Sequence, residues 1–177
     1  MIIPGHIISI ITFPGVIVHE LAHQLFCYLC NIKVYKVKYF QFGNPSGYVV
    51  HEGTDHPGKV FITSMGPFFF NTLLGSLIIL PSSIEFFAFK VNGNILNLIN
   101  VWTGFSILMH SFPSTGDAKV MVQQIIKNKK VNIFIKILVA PWIALVYIGA
   151  VGSVAWLDAL YATSVAMLLP NVLIRLF

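Results

Sequence analysis

The residues with the clearest chemical potential are His19-Glu20-Leu21-Ala22-His23, an HExxH pattern. On a helix, positions i and i+4 share a face, so the two imidazoles can converge on one cation. Zinc accepts imidazole nitrogen, and Glu20 projects beside it, placed to take a proton from water. With six His and three Glu in 177 residues, chance rarely assembles this pattern. A catalytic zinc needs a third protein ligand and one open position. Asp117 is the leading candidate, because it follows the break Pro113-Ser114-Thr115-Gly116. Its alternative role is an N-cap for a helix beginning at Ala118. His110 is the rival ligand, or a residue that supports the ligands or packs between helices. Asn71 has two readings of equal weight: hydrogen-bonding substrate, or satisfying helix–helix bonds. Asp158 is expected on the opposite side from these groups.

The elements that must position these residues are membrane helices. The chain is 56% hydrophobic and only 10% charged, where a soluble domain carries about 25% charged residues. Its mean hydropathy is +0.82. These values exclude a soluble enzyme, a nucleic-acid binder and a disordered chain. Three ionisable side chains within five positions of an apolar helix are costly without partners or a function.

The first span is expected from Ile2 to Ile32, about 45 Å as one helix, with a kink at Pro14-Gly15 or a tilt absorbing the excess. The N-terminus lacks a basic region and cleavage site, so this segment reads as a retained span. Residues 33–51 alternate like strands around Gly43-Asn44-Pro45-Ser46-Gly47 and predict a β-hairpin at the membrane surface. A second span is expected over Val60–Leu80. A connection with Glu85, Lys90 and Asn92-Gly93-Asn94 leads to a third over Ile95–Phe112. A lysine-bearing helix follows from Ala118 to Lys130. Residues 131–177 hold two more spans, with a turn near Gly149–Asp158. The fold class is therefore an all-α polytopic membrane protein of about five transmembrane helices. With that count, ten of the eleven Lys and Arg residues share one side. The positive-inside rule makes it cytosolic, with the N-terminus outside and the C-terminus inside.

The motif order resembles the site-2 protease family of intramembrane zinc metalloproteases. The resemblance rests on His19–His23 in an early span, then Met65-Gly66-Pro67-Phe68-Phe69-Phe70-Asn71, then Asp117 after a proline at the end of the next span. It covers residues 1–120, the expected three-span core, with 121–177 adding a cytosolic helix and two spans of the same membrane domain. It implies one Zn2+ per chain held by His19, His23 and Asp117, Glu20 as general base, and a Gly-Pro-x-x-Asn-like segment that opens the intervening span. This chain departs from the family pattern in having His110 for an asparagine and Ala118 for a glycine. Asn71 also falls one residue late.

These features predict a zinc metalloendopeptidase that hydrolyses membrane-spanning protein substrates within the lipid bilayer. No nucleic-acid partner is expected. The alternative is a catalytically silent scaffold or binding protein; a transporter is disfavoured by the lack of internal repeats. His23 should lie about 15 Å below the cytosolic boundary. Water would reach it through a cavity lined by His19, Glu20, His23, Gln24, Asn71, Thr72, His110 and Asp117. The hairpin could offer a strand edge to an unwound substrate. Cys27 and Cys30 read as core packing, and His51–His56 as a solvated loop.

Overall fold

A computed structural model describes residues 5–90 and 93–176 of the chain. The expected span start at Ile2, and Asn92 of the second connection, lie outside the described residues. In order, the chain forms α1 (Gly5–Ile11), α2 (Phe13–Leu29), β1 (Val34–Lys38), β2 (Tyr48–His51) and α3 (Pro57–Ser83). There follow α4 (Ile95–Met109), α5 (Thr115–Met121), α6 (Ile133–Gly152) and α7 (Leu157–Leu176). Wider π-helical turns extend α3 through Ile84–Ala88 and α5 through Val122–Ile126.

The first apolar segment breaks rather than kinks. α1 and α2 meet at 92°, around Thr12. Pro14 falls in the first turn of α2, where a missing N–H costs nothing because that donor has no intrahelical partner. A proline so placed starts a helix instead of bending one.

Among the described residues, three helices are long and apolar enough to cross a bilayer: Pro57–Phe87, Ile133–Ala155 and Leu157–Arg175. Counting the bent α1–α2 pair as one broken span gives four. The expected five therefore fall to three or four. The shortfall lies at α4, which has 15 residues and is about 22 Å long, against a hydrocarbon core of about 30 Å. It ends at Met109, three residues earlier than expected, where His110 leaves helical geometry ahead of Pro113. The Asn94 side chain caps its start, accepting from Leu96 and Asn97 N–H groups at 2.9 and 3.1 Å. Despite its length α4 is central, packing against α2, α3 and α7. Gly15 on α2 permits the closest of these approaches, because a methyl there would collide with the Ser106 carbonyl on α4.

Two apolar cores hold the bundle together. Val60, Met65 and Phe68 of α3 meet Met121, Ile125, Ile143 and Val146 from α5, its extension and α6. Ile79 of α3, Leu108 and Met109 of α4, and Ala162 and Ala166 of α7 form the second. Phe68 packs against Phe112 and Tyr161, whereas Phe69 is exposed beside Trp142. Cys27 is buried and both cysteines are free.

The hairpin forms as the alternation predicts, antiparallel, pairing Lys38 with Tyr48 and Lys36 with Val50. It folds back along α2. The Tyr39 hydroxyl donates to the Gln24 side chain, and the Phe40 ring sits 6.0 Å from that of Phe13. Its connecting segment thereby reaches the face of α2 that carries Glu20.

Candidate metal centre

α2 places His19 and His23 one turn apart, with ring centroids separated by 4.8 Å. Asp117 arrives from α5. One ligating atom from each of the three residues lies within 4.8 Å of the other two. His23 Nε2 is 3.6 Å from Asp117 Oδ2. His23 is buried; His19 and Asp117 are half-buried.

The surroundings fit a cation. His19 Nδ1 lies 2.7 Å from the carbonyl oxygen of His110, and His23 Nδ1 lies 3.1 Å from that of Thr63. A carbonyl can only accept, so each Nδ1 carries the proton and each Nε2 keeps its lone pair for a ligand. Two such nitrogens and a carboxylate make a zinc-compatible donor set with room for a fourth ligand. Affinity order alone does not select zinc over other divalent metals.

Asp117 is held by the start of its own helix. α5 begins at Thr115, three residues earlier than expected, with Ser114 as N-cap. Asp117 is therefore not the N-cap but the third helical residue of a capping box. Its N–H donates to Ser114 Oγ at 3.1 Å, while Oδ2 accepts from Ser114 N–H at 3.1 Å and Ser114 Oγ at 2.6 Å. The same Oδ2 faces His23, so capping and ligation use one orientation of the carboxylate.

No protein-family model, curated protein or solved structure matches this chain. The fold and the cluster speak for themselves: this is a multi-pass helical membrane protein with a His-His-Asp group able to hold a metal ion.

Glu20 is 9% exposed and borders a cavity of about 510 Å³ together with His19 and the hairpin residues Asn44–Gly47. Among the described residues its carboxylate takes part in no hydrogen bond or ion pair. Gly47 is packed so closely that a Cβ there would lie 2.7 Å from Glu20 Cγ. A second cavity of about 300 Å³ borders His23 and Asp117 from the other side and is lined also by His51 and Asp55. The metal-ligand-rich loop thus contributes a wall but no ligand to the three-residue group.

The His110 ring lies outside the group, its Nδ1 3.0 Å from the Ser106 carbonyl oxygen; what it offers the centre is its backbone carbonyl. Asn71 is fully buried, donating to the carbonyls of His110 at 3.0 Å and Ile107 at 3.4 Å. It serves helix–helix bonding at the end of α4 and does not border either cavity. Asp158 lines the larger cavity with Glu20. Gln24 and Thr72 bond Tyr39 and Tyr161. α2 stops at Leu29, about 9 Å beyond His23.

Ser114 and the carbonyls of Thr63 and His110 were not legible as site groups. Ser114 had a signal, the spacing Ser-x-x-Asp of a capping box. The carbonyls belong to the backbone and carry no residue-type signature.

Proposed function

We propose that this chain is a zinc-dependent intramembrane endopeptidase of the site-2 protease type, acting on membrane-spanning proteins. The observation that carries the reading is the convergence of His19, His23 and Asp117, from two separate helices, beside an unengaged Glu20 carboxylate facing a cavity. His19, His23 and Asp117 would hold one zinc per chain. When bound, the ion would supply Lewis acidity, polarising a scissile carbonyl and acidifying the attacking water. Glu20 takes the proton from that water and returns it to the leaving amine. Asn71 and the His110 carbonyl keep the His19 ring in place. The substrate helix must unwind before hydrolysis, because its backbone groups are internally paired, and the hairpin edge can pair with the freed strand. Lysines around the hairpin favour a cytosolic location for it, which puts the N-terminus outside when the bent α1–α2 pair crosses as one broken span.

The test is metal content and cleavage of a reconstituted single-span membrane protein, for wild type and Glu20→Gln. The expected result is one zinc per chain in both, with cleavage slowed about 10²–10⁴-fold in Glu20→Gln. A wild type without zinc, or Glu20→Gln cutting at the wild-type rate, refutes the proposal.

A further inference from the structure

In an α-helix, the N–H of residue i+4 donates to the carbonyl of residue i. Four residues after Thr63 stands Pro67, inside α3, and proline has no N–H. The Thr63 carbonyl therefore lacks its regular intrahelical donor. Thr63 is 4% exposed, and a buried carbonyl left without a partner is destabilising. The donor that fills the gap comes from another helix: His23 Nδ1, 3.1 Å away. The Thr63 hydroxyl does not compete for this position, since it donates back to Lys59 O at 2.8 Å.

We propose that Pro67 is a positioning residue for His23: by withholding an N–H it reserves the Thr63 carbonyl for His23 Nδ1, which turns Nε2 toward Asp117. Its purpose, though not the hydrogen bond itself, rests on the metal-centre reading above. Gly66 belongs to the same device, because a side chain there would run into the Phe26 ring of α2 and hold the two helices apart. Pro81, the other proline inside α3, frees the Leu77 carbonyl, and Leu77 is exposed. One interior proline thus serves the centre and the other does not.

The experiment compares wild type, Pro67→Ala and Pro81→Ala, each purified in detergent with ¹⁵N-labelled histidine. Imidazole ¹⁵N shifts of the metal-free protein report the His23 tautomer, and competition with a chromophoric chelator reports zinc affinity. In Pro67→Ala the restored N–H takes the Thr63 carbonyl. His23 then leaves the pure Nδ1–H tautomer, and zinc affinity falls about 10- to 100-fold, the usual cost of losing such a partner. Pro81→Ala retains both wild-type values. An unchanged tautomer in Pro67→Ala overturns the proposal, as does an equal effect of Pro81→Ala. If Pro67→Ala does not fold, the Thr63 carbonyl ¹³C resonance decides: it must move in His23→Ala, and a stationary resonance overturns the proposal. A wild type that binds no zinc yet shows the Nδ1–H tautomer, with the Pro67→Ala change, refutes the metal reading while supporting the role of Pro67.

Discussion

Asp117 has two duties that two substitutions separate. Its Oδ2 accepts from Ser114 N–H and Ser114 Oγ, and it lies 3.6 Å from His23 Nε2. Asp117→Ala removes the carboxylate from both. The N-cap bond from Asp117 N–H to Ser114 Oγ survives, so the loss is the reciprocal bond to Ser114, about 0.5–1.5 kcal/mol, and the lost negative charge at the N-terminus of α5 adds about 0.3–1 kcal/mol. Ser114 is exposed, so water re-solvates its N–H and holds the total to about 1–2 kcal/mol. Asp117→Asn retains an acceptor oxygen and loses only the charge, about 0.3–1 kcal/mol. Zinc separates the duties. A ligand at 100 times its Kd stabilises the folded state by about 2.7 kcal/mol. Thermal unfolding in detergent, with and without zinc, is the assay. Wild type should gain that increment and both variants should lose it, while only Asp117→Ala is clearly weaker without metal. An Asp117→Asn protein that keeps the zinc increment would show that the residue caps α5 and does not ligate.

Two further outcomes follow from the same contacts. His110→Ala should keep zinc at wild-type stoichiometry by elemental analysis, because the centre uses the backbone carbonyl of this residue and not its ring; loss of zinc would make the ring a ligand. Asn71→Leu should lower stability by about 0.5–1.5 kcal/mol in an unfolding titration, by removing the Asn71 donor from the His110 carbonyl, which then keeps only the His19 ring. An unchanged midpoint would mean that the Asn71 bond adds nothing to the end of α4.

What could be read from the sequence is what depends on short-range order. The His19–His23 pair follows from helical spacing, and the hairpin from alternation around Gly43–Gly47. Both are local, and both appear where expected. Asp117 was singled out from the proline break before it, although its capping partner Ser114 went unread. The span count failed at α4, whose apolar composition says nothing of where a helix ends once Pro113 approaches. The hydrogen bonds that orient the histidines were hidden for a different reason. Their acceptors are main-chain oxygens freed by a helix end and by Pro67, and only the folded packing shows which side chain meets them.

The segment joining the two strands walls the Glu20 side of the centre. It lies against Glu20 through Gly47 and is fastened to α2 through Tyr39 and Gln24. The cavity beside Glu20, about 510 Å³, is large enough for water or a small chelator, whereas on the proposed peptidase reading an extended polypeptide would have to displace the segment. On that reading chelation and proteolysis would answer to different barriers. A cross-link pinning this segment to α2 would then leave metal exchange at its ordinary rate and stop the proposed turnover, a form of inhibition that never touches the ligands.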